Sequence, residues 1–410
     1  MRDRSQEGDQ RGTLDFGSSH TWAAWNHANM SKLSSCGSFI CWRFVPLLVL
    51  FLAIFVGWLQ QFDIPEGAVF EIIFTLQNGQ LPYHMFGQGY VSTEAVPDDM
   101  TPLPRPVGES FLTLPGGATF PQNGIGMCCR SSAYDPESVY NTVLWYLLQG
   151  GRHIDGAHLY TNHRAIGRAI KEAMRRGIKR EDIFVTTKLW PSHFGYDKPL
   201  EVAPTFLEEL GLDYVDMILL HFPTPLPYML NGECRKKGWS TKECRQRTWE
   251  AMSKLREDGI TRNVGVSNFN IPQMQMLMDL KLAPIATNQF QYNPWAPDWQ
   301  HEVFAFCQEK GIAVTAYAPM GGAFMKGTVY TEQRIRSVAA KHNKSVPQVM
   351  LRWAIQKGAV VIPGTGNPEH MRSNLEAYSF QLDGEDMATI HESGNDPGAK
   401  KFMYFKMDDS

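Results

Sequence analysis

The sequence predicts an α/β protein: a (β/α)8 barrel, the TIM-barrel arrangement, with an N-terminal hairpin, preceded by a single transmembrane helix and a linker. Three observations predict it. From residue 110 onward, eight short apolar runs alternate with segments of helical period, the mark of βαβ units and a parallel sheet. Eight such units in roughly 260 residues match the size of a closed barrel better than an open sheet. Upstream, residues 44–59 (FVPLLVLFLAIFVGWL) carry no charge at all.

Taken in order, residues 1–38 are polar and rich in Ser, Gly, Asn and charge, a composition expected to stay disordered. The apolar run spans about 24 Å as a helix, slightly short of a bilayer core. Extension back to Phe39, with Arg43 snorkelling and Trp42 and Trp58 as interface anchors, gives an expected membrane helix over 39–60. A signal peptide fits poorly, because 43 residues precede the run and no small-residue cleavage site follows it. Lys32 and Arg43 lie before the run, and no Lys or Arg occurs between Phe44 and Pro104. The positive-inside rule therefore places the N-terminus in the cytosol and the C-terminal domain in a lumen or outside the cell. On that reading Asn343-Lys344-Ser345 is a candidate glycosylation sequon. Residues 61–109 end in TPLPRPVGES and read as a linker or stem.

The expected barrel domain is 110–410. Phe111-Leu-Thr-Leu, Pro115-Gly-Gly and Ala118-Thr-Phe read as a small hairpin with a Gly-Gly turn. The eight runs then follow at 123–127, 152–155, 183–189, 215–221, 263–267, 285–290, 313–319 and 359–363. A net charge of −3 gives no reason to expect a nucleic-acid partner. Seven cysteines in 410 residues make no disulfide scaffold, and none has zinc-site spacing. Cys234 and Cys244, ten apart in a polar loop, are either two free thiols or, in an oxidising compartment, a disulfide. No G-x-G-x-x-G occurs: the G-x-G tripeptides at Gly87, Gly124 and Gly364 all lack the third glycine. A dinucleotide, if used, is not held by a Rossmann loop.

Barrel chemistry sits at the C-terminal ends of the strands. Those ends supply Asp155, Lys188 and His221 after the second, third and fourth runs, with Tyr160 in the loop after the second. Alone, Asp155 and Lys188 would suit a structural salt bridge, and His221 a hydrogen-bonded core histidine. Together they suit carbonyl reduction. Tyr160 supplies a proton to the developing alkoxide, Lys188 is expected to lower its pKa, Asp155 holds Lys188, and His221 orients the carbonyl.

GGRHIDGAHLYTNHRAIGRAI closely resembles the signature of the aldo-keto reductases. TTKLW (186–190), LLHFP (219–223), GVSNF (265–269), NQFQYNPW (288–295), YAPMG (317–321) and VIPGTGNPEHMRSNL (361–375) fall in that family's order. The resemblance implies Tyr160 as proton donor, tuned by Lys188 and Asp155, with His221 placing the carbonyl. It implies that Ser267, Asn268 and Gln289 bind a nicotinamide carboxamide, that Tyr317 stacks on the ring, and that the 361–375 segment, with Thr365, Arg372 and Asn374, holds the adenosine phosphate. Trp190, Phe222 and the tail aromatics Phe402, Tyr404 and Phe405 would wall the pocket for a small carbonyl substrate.

The chain departs from the pattern in several places. Gly364 and Thr365 stand where a Lys-Ser pair is usual, His370 replaces an Arg and Ser373 a Glu, leaving Arg372 as the substitute cation. NADPH is the expected cofactor, with NADH the alternative. His163 replaces a Glu, and Cys128 stands where an aromatic residue is common. The competing reading is a reductase-like barrel that binds nucleotide as a scaffold or redox sensor with little turnover. The substrate and the oligomeric state are not readable.

Overall fold

The computed structural model of the chain describes residues 92–130, 133, 135–223, 232–322 and 329–395. The expected tail, membrane helix and most of the stem lie outside the described residues, as do Phe402, Tyr404 and Phe405. Among the described residues no helix is long and apolar enough to cross a membrane.

A two-stranded antiparallel hairpin comes first: β1 (Phe111–Thr113) pairs with β2 (Thr119–Pro121), Leu112 opposite Phe120. Its turn closes with Gly117 N–H donating to the Leu114 carbonyl at 2.8 Å. Eight parallel strands follow: β3 (Ile125–Gly126), β4 (His153–Asp155), β5 (Phe184–Leu189), β6 (Val215–Leu220), β7 (Thr261–Ser267), β8 (Thr287–Gln291), β9 (Ala313–Tyr317) and β10 (Ala359–Val361). Each pairs with the next in chain order. Asn123 bridges to Val361 in parallel, and Gly126 N–H donates to the Pro363 carbonyl at 3.2 Å, bringing the last strand against the first. The predicted runs and the observed strands coincide one for one.

Every residue of β5 and β6 is buried, as expected for strands covered on both faces. The cover is a ring of helices: α1 (Pro136–Leu148), α2 (His163–Arg175), α3 (Asp197–Leu210), the short α4 (Glu233–Lys236), α5 (Thr241–Glu257), α6 (Ile271–Met278), α7 (Asp298–Glu309), α8 (Gln333–Lys341), α9 (Val346–Gln356), α10 (Pro368–Leu375) and α11 (Gly384–Ser393). Local chemistry starts them. Asp135 caps α1 by accepting from Ser138 N–H at 2.7 Å, with Pro136 at the first helical position. Ser240 with Glu243 and Ser345 with Gln348 form capping boxes on α5 and α9. The small-residue stripe of α2 has a steric reason: a Cβ on Gly167 would fall 2.1 Å from the Leu210 carbonyl oxygen at the end of α3.

The hairpin plugs the lower end of the barrel. Leu114 and Phe120 pack with Phe184, Met217, Leu219, Ala286 and Val360. His153 lies edge-on to both Phe120 and Phe184, and burial drives its pKa down to about 3. With that end filled, the opposite end, where the strands finish, is the open one.

From residue 92 the Pro-rich stem is bound to the barrel's flank. Thr93 N–H donates to Ser138 Oγ (3.2 Å), and the Thr93 and Thr142 hydroxyls share a hydrogen bond (2.8 Å). Trp145 Nε1 donates to the Glu94 carbonyl, Arg176 to the Pro97 and Met100 carbonyls, and Leu103 N–H to the Leu148 carbonyl.

The loop after β6 contains the Cys pair left open by the sequence. Cys234 and Cys244 are disulfide-bonded, which replaces the reading of two free thiols. The bond ties α4 to α5, while Glu233 accepts from the Tyr196, Asp197 and Lys198 N–H groups at the start of α3. The sequon residue Asn343 is exposed in the turn between α8 and α9.

Candidate active site

The parallel register fixes the centre of the site. Asp155, the last residue of β4, lies beside Thr186, two residues before Lys188 on β5. Lys188 Nζ donates to Asp155 Oδ1 at 2.5 Å and to the Gly156 carbonyl at 2.8 Å. The other Asp155 oxygen accepts from Gln289 Nε2 on β8 at 2.7 Å, across the barrel. Lys188 is wholly buried and Asp155 nearly so, giving a desolvated ion pair whose lone pairs and protons are taken up locally.

Tyr160 closes the one-turn 3₁₀ segment His158–Tyr160 after β4, with its N–H donating to the Ala157 carbonyl at 3.0 Å. Its ring centroid lies 5.2 Å from Lys188 Nζ, and it meets the His221 ring edge-on at 5.7 Å. Trp190 meets His221 edge-on at 5.1 Å, and Phe222 stacks on the same imidazole at 5.3 Å. The four predicted catalytic residues and the two predicted pocket aromatics therefore converge. Ala157, Leu159, Tyr160 and Trp190 form one buried cluster, with Cys128 and Phe222 packed on it.

The electrostatics correct one expectation. Lys188 was expected to make Tyr160 more acidic, yet burial, and after it the carboxylate of Asp155, holds the Tyr160 hydroxyl well above its ordinary value. Burial is the larger cause, and the Lys188 charge that would oppose it is already paired with Asp155 at 2.5 Å. Burial, and then the Lys188 charge, hold His221 well below the ordinary histidine range, so its imidazole is neutral at neutral pH. Burial also lowers Lys188, with Asp155 opposing the shift.

The predicted nicotinamide residues lie beside this cluster. Asn268 follows β7 in left-handed backbone (φ 64°), a conformation Asn tolerates better than most residues. Its Nδ2 donates to the His221 carbonyl and to Ser267 Oγ, both at 3.1 Å, and its Oδ1 accepts from Tyr317 OH at 2.9 Å. Ser267 and Tyr317 are thus joined through the Asn268 side chain, and the Gln289 amide reaches the same end of the barrel through Asp155. That donor set suits a carboxamide and an aromatic ring, and it fits the expected cofactor.

The phosphate segment is arranged differently. Thr365 Oγ1 accepts from Asn367 N–H, and Asn367 in turn caps α10. Arg372 Nη1 donates to Glu376 Oε1 at 2.9 Å on the exposed face of α10, an i,i+4 pair. Asn374 is buried, and its carbonyl accepts from Asn123 Nδ2 at 2.8 Å. A Cβ on Gly364 would lie 3.0 Å from Arg130 Nη1, the end of a flexible side chain that would have to give by a few tenths of an ångström. Arg130, a cation that sequence reasoning missed, thereby reaches the position where the Lys of the resemblance would stand; its Nη1 donates to the Gly126 carbonyl at 2.6 Å.

His163, marked by the sequence only as a departure, is buried between Thr187 Oγ1 (2.8 Å) and Glu209 Oε2 (2.9 Å). It ties the start of α2, three residues past Tyr160, to the strand that carries Lys188.

A tyrosine, a lysine–aspartate pair and a neutral histidine at successive strand ends, facing amides suited to a nicotinamide, define the site of a barrel oxidoreductase. The model of the aldo/keto reductase family matches residues 116–395, and the chain belongs to that family. An aldehyde reductase of Saccharomyces cerevisiae is 37% identical over 313 residues, covering 72% of this chain and 94% of the relative. A 9,11-endoperoxide prostaglandin H2 reductase of Trypanosoma cruzi is 34% identical over 286 residues, covering 70% and 92%. Among solved structures, a Bombyx mori aldo-keto reductase in complex with NADP superposes with a TM-score of 0.62 at 32% identity, covering 70% of this chain and 92% of that one.

Proposed function

We propose that the protein reduces an aldehyde or ketone to the alcohol, with NADPH as cofactor and Tyr160 as proton donor. The observation that carries the reading is the buried Lys188–Asp155 pair beside the Tyr160 ring, next to the aromatic cluster of Trp190, His221 and Phe222. NADPH, when bound, supplies the hydride. Ser267, Asn268, Gln289 and Tyr317 would hold the nicotinamide, and Thr365, Arg372 and Asn374 the adenosine end.

Tyr160 keeps its proton in the resting site because burial disfavours the phenolate. As negative charge grows on the carbonyl oxygen, the hydroxyl can release its proton to that oxygen, and the ammonium of Lys188 then faces a phenolate. His221, being neutral, can donate an N–H to the same oxygen without competing as an acid. The pocket aromatics exclude water from the reacting centre.

The test is NADPH oxidation by the full-length protein with aromatic and aliphatic aldehydes, beside Tyr160→Phe. Loss of a positioned acid should lower kcat by about 10²–10⁴-fold. A variant as active as wild type would overturn the proton-donor role, and cofactor binding without turnover in wild type would favour the scaffold reading.

The same inference extends to the cell. We read residues 39–60 as a single membrane anchor with the barrel on the lumenal or extracellular side. The uncharged run, the basic residues before it, the bonded Cys234–Cys244 pair and the exposed Asn343 support this. Protease protection of the barrel in sealed microsomes is expected. Digestion before the membrane is opened would reverse the orientation.

A further inference from the structure

One feature of the pocket belongs to neither the predicted chemistry nor the family pattern. β3 ends at Gly126, and Met127 N–H still donates to the Asp155 carbonyl at 2.9 Å, continuing the register one residue further. The next two residues are Cys128 and Cys129, and they are bonded to each other. Cys128 packs on the cluster of Ala157, Leu159, Tyr160 and Trp190, so one sulfur belongs to the wall beside the proton donor. Cys129 is exposed, and its backbone is left-handed (φ 66°), a region that a side chain with a Cβ enters infrequently. The pair therefore runs from the buried cluster to the solvent across one peptide bond, on a left-handed turn.

We propose that Cys128–Cys129 is a redox-convertible wall of the carbonyl pocket, whose bonded and open forms select different carbonyl substrates. Bonded, the two sulfurs hold the turn, and Cys128 presents a fixed apolar surface toward Tyr160. Opening proceeds by thiol–disulfide exchange with a small-molecule thiol of the glutathione class. The thiolate attacks the exposed Cys129 sulfur, the Cys128–Cys129 bond breaks, and Cys128 leaves as a thiolate that takes up a proton. A second thiol molecule attacks the small-molecule sulfur of the mixed disulfide, releasing the Cys129 thiolate to be protonated. The protein gains two electrons and two protons, and the two thiols become one small disulfide. Cys128 then regains its own rotamers and the Cys129 turn can relax, so the space beside Tyr160 changes on the scale of a methylene group or more.

The proposal rests on the reading of this pocket as the carbonyl site, and the experiment separates the two. Full-length protein is equilibrated across ratios of reduced to oxidised dithiothreitol, quenched with N-ethylmaleimide, and the peptide carrying both cysteines is weighed. In parallel, kcat/KM is measured for a short aliphatic and a bulky aromatic aldehyde, and the Kd of the aromatic aldehyde by calorimetry. The expected result is conversion from an unlabelled to a doubly labelled peptide, with the ratio of the two kcat/KM values moving about tenfold, the scale of one methylene in an apolar pocket. Cys129→Ser keeps Cys128 in the wall and keeps Cys234–Cys244, so its ratio should sit at the reduced value at every poise. A wild-type peptide labelled twice at all poises would overturn the proposal, as would an unchanged ratio across a proven conversion. A shift that persists in Cys129→Ser would reassign the effect to Cys234–Cys244 and overturn it too. If no carbonyl is turned over in either form, the enzyme reading falls; a Kd that still changes with conversion then upholds the redox wall, and an unchanged Kd overturns it.

Discussion

Replacing Lys188 by Met tests the buried pair on which the site is built. Lys188 has no exposed side-chain surface and Asp155 only 3%, so the methionine leaves a desolvated carboxylate with Gln289 Nε2 as its remaining side-chain donor. Breaking a buried pair in this way costs about 3–5 kcal/mol. At this size each kcal/mol lowers Tm by about 2–4 °C, which gives a fall of roughly 6–20 °C. Combining Lys188→Met with Asp155→Leu removes both charges, and an apolar replacement of a buried pair is often close to neutral. The double variant should therefore recover most of the lost stability while remaining inactive. Urea denaturation followed by far-ultraviolet circular dichroism, on wild type, both singles and the double, closes the cycle. A coupling energy under about 0.5 kcal/mol would refute the reasoning, because residues in one buried network couple by about 0.5–3 kcal/mol.

Acid should weaken the fold partly through His153, whose folded pKa of about 3 lies below the unfolded value. Below pH 6.5 the unfolded chain binds a proton that the folded chain refuses, so stability falls by about 1.4 kcal/mol per pH unit toward pH 3. His153→Phe should make the slope shallower by that amount between pH 6 and 4; parallel slopes would sink the assignment. Cys234→Ser opens the α4–α5 tie and should cost about 3 kcal/mol in urea, vanishing when both proteins are measured in reductant. Arg372→Ala should weaken NADPH binding about tenfold, the scale of one charge-assisted hydrogen bond, and leave NADH unchanged. Equal weakening of both in a fluorescence titration would show that Arg372 does not meet the adenosine phosphate.

Strand positions were legible because each barrel strand is a short apolar run between helical periods, and even the three-residue β10 showed as AVV. The clustering of Asp155, Tyr160, Lys188 and His221 was legible for a related reason, since barrel geometry sends consecutive strand ends to one place. What the sequence could not carry is the consequence of burial. Reading Lys188 as a cation near Tyr160 was sound in composition. The sign of the shift at Tyr160 is set by its burial, with the Asp155 carboxylate adding to it. His163 finds its partners 24 and 46 residues away, a pairing that no local pattern encodes. Arg372 is the opposite case: Glu376 stands four residues on along the same helix, so its ion pair was readable and was passed over. The Cys128–Cys129 pairing sits on a left-handed turn at Cys129, and a backbone angle leaves no mark in composition.

The stem's course along the barrel has a consequence for access. α1 starts where β3 finishes, at the open end, and Thr93 is bound to its first turns through Ser138 and Thr142. Leu103 meets the far end of the helix at Leu148, ten residues later. The polypeptide therefore descends the flank from the rim to the plugged base before the hairpin begins. Loosening the Thr93 contacts, far from Tyr160 in sequence, would therefore act at the open end of the barrel, and loosening the Leu103 contact would act at the plugged one.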